Sequence, residues 1–302
     1  MKAIQHKIEY FFFKSLLVLL KITPNRIVPK LASGFGLLLY YLRVRRKVVS
    51  KNLSIAFSDE LSEVELKKIC KNTYKNVGES VFELLLMRYL SPEKINEFIT
   101  IEGMNILESA VKLGRGVVIA GNHFGNFELL AAGISSLGVP IHLFTGEQKN
   151  TRIDTAVNEI RQKFGSITIS KSKTAAFEMM KVLRNKKVLG LAGDLNVPHD
   201  NLFIDFFSKK AVVGQGLAMY TLKCKTPLIF TWCVREGPLK HRGYIKRLDY
   251  QITGNNQVDM LNISQMISSQ LEEIIRKYPD QYFWLNRRWK TRPPEEKGMP
   301  VY

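Results

Sequence analysis

Short apolar runs bounded by glycine, proline or charge recur along the second half of the chain: GVVIAGN (residues 116–122), PIHLFTG (140–146), KVLGLAGD (187–194) and TPLIFTWCVRE (226–236). Each has the length and the boundaries of a buried strand. Between them, near 127–137, 152–164, 173–185 and 215–224, apolar residues fall three and four apart, and a late strand at 244–252 precedes a helix near 258–278. Such alternation predicts an α/β fold, a mostly parallel central sheet flanked by helices, with ligands at the carboxyl ends of the strands. Ahead of it, residues 50–90 read as helical, with Ser58 and Ser62 as candidate caps, and Ser91-Pro92 restarts a short helix.

The amino terminus follows a different pattern. Two apolar runs, 10–22 and 27–42, flank Thr23-Pro24-Asn25, each interrupted by lysine and each shorter than the roughly 18–20 residues of a spanning helix. No small-residue cleavage site follows the first run, which argues against a signal peptide. Charge sharpens the picture. Residues 1–51 hold 11 Lys and Arg against the single acid Glu9, so +10 of the net +18 lies in the first sixth of the chain. Aromatic and leucine surface with Lys7, Lys14, Lys21, Arg26 and Lys30 beside it predicts an apolar N-terminal helical membrane anchor over residues 1–47. A tilted span and an in-plane helix both fit, and a helical hairpin packed on the rest of the protein is the bland alternative. Residues 48–302 then form the main domain, with 48–100 a helical lead-in and 101–302 the α/β core.

Two strand ends carry candidate chemistry. GNHFGNFELL (121–130) places His123 five residues before Glu128, and Asp194 closes the run at 187–194. Residues five apart lie about 140° apart on a helix, so His123 and Glu128 meet only if His123 sits in a turn and Glu128 in the first helical turn. Gly121 and Gly125 permit that reversal. A carboxylate on one imidazole nitrogen fixes the tautomer and leaves the other nitrogen as a base. The motif holds no serine or cysteine, so the nucleophile implied is a substrate hydroxyl. Taken alone, the pattern favours the blander reading of a histidine bonding its own turn.

The strand-then-H-x-x-x-x-[D/E] pattern resembles the motif of membrane-bound glycerolipid acyltransferases, and NHFGNFE resembles its form in the lipid A late acyltransferases of Gram-negative bacteria. Three further blocks fit that branch: residues 146–165, 193–229 and 282–296, the last before a PVY end. The resemblance implies an α/β acyltransferase at the cytoplasmic face of the bacterial inner membrane. It would move a fatty acyl chain from acyl carrier protein, or coenzyme A, to a hydroxyl of a lipid A precursor; another glycolipid, such as mannosylated phosphatidylinositol, is the alternative acceptor. His123 would be the general base, with Glu128 ranked first and Asp194 second as its charge partner. Asn122, Gly125 and Asn126 would contact substrate, and backbone N–H groups near Gly125 would meet the oxyanion. Leu195 stands where related sequences often carry Gln.

Arg161 falls where related acyltransferases place a phosphate-binding arginine. Arg287 and Arg288, with Lys290 and Arg292, interleave with Trp284 and Trp289 in a cluster suited to phosphate, or to a membrane-interface belt. Phe203, Phe206 and Phe207 read as core or hairpin residues before an acyl tunnel; His142 reads as structural and His199 as a loop residue. Cys70, Cys224 and Cys233 are too scattered for a disulfide framework, and no histidine or cysteine falls at metal-ligand spacing. No cofactor is implied beyond the acyl thioester, and the partners expected are acyl carrier protein, lipid A precursor and membrane lipids. A pI of 9.7 also admits a nucleic-acid-binding protein, but the charge accompanies apolar runs rather than a binding motif. A lipid-binding scaffold without catalysis is the third reading.

Overall fold

A computed structural model describes residues 2–197, 201–296, 298–299 and 301–302; His199 lies outside them. Four helices come first, α1 (Lys2–Ile22), α2 (Val28–Tyr41), α3 (Arg46–Phe57) and α4 (Glu63–Leu86). Ser62 begins α4 with a capping box, its hydroxyl accepting from the Glu65 N–H while the Glu65 carboxylate accepts from the Ser62 N–H. Ser58 instead ends α3.

The α/β portion then runs β1 (Ile99–Glu102), α5 (Met104–Lys112), β2 (Val117–Gly121), α6 (Phe127–Ser136), β3 (Ile141–Thr145), α7 (Thr151–Lys163), β4 (Ile167–Ser170), α8 (Ala175–Arg184) and β5 (Val188–Ala192). A hairpin follows, β6 (Asn201–Phe206) and β7 (Lys209–Gly214), then α9 (Gly216–Cys224), β8 (Leu228–Gly237), β9 (Lys240–Leu248) and α10 (Asn256–Lys277). The main sheet has the order β1-β9-β8-β2-β5-β3-β4. From β8 to β4 its strands are parallel; β9 turns back antiparallel on β8 and pairs in parallel with β1.

Strand β2 is buried along nearly its whole length because helices cover both faces of the sheet. Its alternating side chains divide between two cores. Val118 and Ala120 join Leu189, Leu228 and Phe230 on one side, and Val117 and Ile119 join Val188 and Ile229 on the other. The late strand begins at Lys240 rather than 244 because its first inward positions are His241 and Gly243, which hydropathy does not mark as buried. At Gly243 the sheet lies close under α6: a Cβ there would meet the side chain of Leu130, which would have to shift.

At the amino terminus, Leu17, Leu20, Val28 and Ala32 are buried in the same core as Phe82 and Leu85 of α4. Helices α2 and α4 approach so closely that a Cβ on Gly36 would overlap the Tyr74 carbonyl, and one on Gly78 that of Ala32. Thus α1 and α2 dock by one face on the rest of the chain, and no helix of the described residues is long and apolar enough to cross a membrane. A spanning anchor finds no support. The outward faces remain apolar, with Phe11 at 67% and Phe12 at 66% exposure.

Candidate active site

Strands β2 and β5 are adjacent and parallel, with Gly121 opposite Ala192. Two residues beyond that pair on each strand stand His123 and Asp194, so the register brings them together where the strands end. His123 Nδ1 lies 2.8 Å from Asp194 Oδ1, and the His123 backbone N–H donates to Asp194 Oδ2 at 2.9 Å. With Nδ1–H donated to the carboxylate, Nε2 is left as the basic nitrogen. Burial pulls the imidazole pKa down, yet the charge and hydrogen bond of Asp194, helped by the charge of Glu128, leave it raised above the usual value. For Asp194 burial acts upward, and His123 with the more distant Arg288 outweighs it, so the carboxyl is lowered.

Glu128 does sit in the first turn of α6, but the ring is not its partner. Arg161, from α7, donates Nε to Glu128 Oε2 at 2.9 Å and Nη2 to Glu128 Oε1 at 2.5 Å, and gives Nη1 to Asn158 Oδ1 at 2.9 Å. The ranking of the two acids is therefore reversed: Asp194 orients His123 and Glu128 fixes Arg161. The physical reason is that neighbouring parallel strands deliver their ends side by side, whereas the α6 start turns Glu128 toward α7.

The turn itself is held by the carboxyl-terminal block. The Gly125 N–H donates to the Gln281 carbonyl at 2.8 Å and the Phe283 N–H to the His123 carbonyl at 3.0 Å. Gly125 has φ +58° and its absent Cβ would overlap the Cys233 carbonyl oxygen, so this position needs glycine. Since its N–H already has a partner, it does not serve an oxyanion. Asn126 is the N-cap of α6, accepting from the Leu129 N–H at 3.0 Å, and its amide donates to Glu83 Oε2 at 2.7 Å. Asn122 donates to the Thr231 carbonyl at 2.8 Å. Gly125 and Asn126, expected at the substrate, shape the turn and also line a smaller cavity that touches His123; Asn122 braces the turn and lines the larger cavity beside it.

Beneath Asn126 lies a buried group that periodicity did not flag. Glu83 of α4 accepts from both terminal nitrogens of Arg235, and His241 Nε2 approaches it at 3.3 Å. Burial would raise the Glu83 carboxyl, but the Arg235 charge and hydrogen bonds, with those of His241, hold it at about 2. Its only sequence signal was an acid on the apolar face of a helical pattern.

The Arg and Trp cluster is not a surface. Trp284 and Trp289 are fully buried and Arg288 is 2% exposed, its guanidinium over the Phe206 ring and donating to the Val212 carbonyl. Burial lowers the Arg288 pKa despite nearby Tyr282 and Asp194. Arg288 is core, and the Trp pair forms no interface belt; the helices and hairpin packed over this segment close it off. Arg287 is exposed, beside the Tyr302 ring, and lies outside the cavities that meet at His123. Phe206 and Phe207 are buried hairpin residues.

His123 opens onto a cavity of about 480 Å³ between α6 and the sheet. Asn122, Glu128, Arg161 and Gln148 lie on its lining, and Ile119, Ile134, Ile141 and Leu191, all buried, make its apolar depth. The sequence pattern of the bacterial lipid A biosynthesis acyltransferases matches residues 1–291. The chain belongs to this family. It is an acyltransferase enzyme, and its reaction class is acyl transfer in lipid A biosynthesis. A lipid A biosynthesis lauroyltransferase of Escherichia coli is 26% identical over 288 residues, spanning 92% of this chain and 89% of that protein. A lipid A biosynthesis acyltransferase of Haemophilus influenzae is 25% identical over the same shares. A phosphatidylinositol mannoside acyltransferase of Mycobacterium tuberculosis is 22% identical over 63% of this chain and 59% of that protein.

Proposed function

We propose that the enzyme transfers a fatty acyl chain from a thioester of acyl carrier protein or coenzyme A directly to a hydroxyl of a lipid A precursor, with His123 as general base. The observation that carries this reading is the 2.8 Å contact of His123 with Asp194 at two adjoining strand ends, opening onto an apolar cavity. His123 Nε2 takes the hydroxyl proton as the oxygen attacks the thioester carbonyl. The C–O bond forms, the C–S bond breaks, and the imidazolium returns its proton to the departing sulfur. No acyl-enzyme is needed. Asp194 keeps the tautomer and balances the charge that His123 gains. Arg161, fixed by Glu128 and Asn158, is the cationic side chain on the cavity lining among the described residues and supports the developing oxyanion.

A lipid A precursor is favoured over a mannosylated phosphatidylinositol because the lipid A relatives match over most of both chains. For the membrane, Phe11, Phe12 and Ile22 project from α1 among exposed Lys7, Lys14 and Lys21, a pairing suited to an anionic leaflet. The enzyme would lie on the bilayer through this face.

Mass spectrometry of a reaction containing acyl thioester and lipid A precursor tests the assignment. Wild type should add one acyl chain. His123→Ala should lose roughly 10²–10⁴-fold in rate while keeping its fold, the usual effect of removing a general base. Retention of more than about a hundredth of the rate would sink the proposal.

A further inference from the structure

A second cavity, of about 180 Å³, meets the first at the base. The two share His123, Phe127, Glu128 and Phe283 as a common wall. The imidazole lies between the two phenyl rings, edge to face with Phe127 at 5.0 Å and tilted on Phe283 at 6.2 Å. Beyond that wall the second cavity follows α4, past Val77, Ser80, Val81 and Leu84.

Direct transfer requires two substrates within reach of one nitrogen at once, and two cavities that meet at His123 provide it. Their sizes and linings differ in a way that assigns them. The larger lies within the roughly 300–1,000 Å³ of ordinary ligand sites, whereas the smaller falls below it and holds only part of a ligand. Among the described residues no Lys or Arg lines the smaller cavity; its ionisable groups besides His123 are the acids Glu128 and Asp280 and the phenol of Tyr282. Burial raises the Asp280 carboxyl. A phosphorylated headgroup has no counter-charge there, while an uncharged chain segment has valine and leucine walls. The place also suits a lipid arriving from the bilayer. Val81 of its α4 wall is 39% exposed, so on that side the cavity lining reaches the surface of the protein.

We infer that the second cavity receives the hydroxylated acyl chain of the acceptor, presenting its hydroxyl to His123, and that the larger cavity holds the acyl chain of the donor. The inference rests on the direct-transfer reading. It makes Val77 a specificity-determining residue for the acceptor.

Steady-state transfer with lipid A precursors carrying shorter or longer hydroxyacyl chains, together with binding of an acyl-coenzyme A thioether, tests it. Val77→Phe should raise the acceptor KM about tenfold or more, shift preference toward the shorter chain, and leave thioether Kd unchanged. Val77→Ala, which keeps the fold safe, should shift preference toward the longer chain. An acceptor KM that stays within about twofold in both variants, or a thioether Kd that weakens instead, overturns the inference. Loss of transfer in His123→Ala with no effect at Val77 would refute the acceptor channel alone; transfer surviving in His123→Ala would refute the reading beneath it.

Discussion

Asp194 engages His123 twice, through the ring and through the backbone, whereas Glu128 and Arg161 hold one another by two parallel bonds. The two acids therefore fail differently. Glu128→Gln leaves the partly buried Arg161 charge with only the more distant Asp154 to offset it, a loss of about 3 kcal/mol. Thermal unfolding should register that as a clear fall in Tm, with the pH dependence of the rate moved less than by a change at Asp194. An unchanged Tm would mean that the pair contributes no stability. The histidine was legible in the sequence, since it follows an apolar strand and stands between glycines. Its partner was visible only as a lower-ranked acid, because spacing along the chain favours the residue five positions on, and a register between strands 71 residues apart leaves no local trace.

At the scale of elements, a single turn carries the site, and the segment from Gln281 to Phe283 clamps it. Gly125→Ala should disrupt that turn, through both the left-handed φ and the overlap with Cys233, costing more than about 1 kcal/mol and most of the activity. Equal activity and Tm would show that the turn can relax. Strands β2, β3, β5 and β8 and helices α6 to α10 announced themselves by apolar periodicity and by Gly, Asn and Pro at their ends. The opening of β9 did not, because His241 and Gly243 fill its inward positions. Nor did the packing of the carboxyl-terminal block. Arg288 and the two tryptophans have the composition of a phosphate or membrane surface, and only the hairpin β6–β7 and the helices closing over them make them core.

Across the whole molecule, charge and apolar surface coincide on the amino-terminal helices. Composition showed this surface, and packing decided that α1 and α2 lie on the protein through Leu17, Leu20 and Ala32 rather than apart from it. Replacing Phe11 and Phe12 together by Asp should lower partition onto anionic vesicles at least tenfold, since burying one such side chain contributes about 1.5–3 kcal/mol. Sedimentation with vesicles checks it, and unaltered binding would assign membrane contact to another face. The base held by Asp194 works independently of that face. The pH dependence of kcat/KM for transfer, measured for wild type and Asp194→Asn, addresses that directly. Neutral His123 is the active form, so the rate should rise with pH through a pKa above the free imidazole value of about 6.5. Asp194 favours the imidazolium; its loss should move the rising limb to lower pH while the plateau falls roughly 10²-fold or more. A limb that stays in place in Asp194→Asn with its plateau intact would contradict the account.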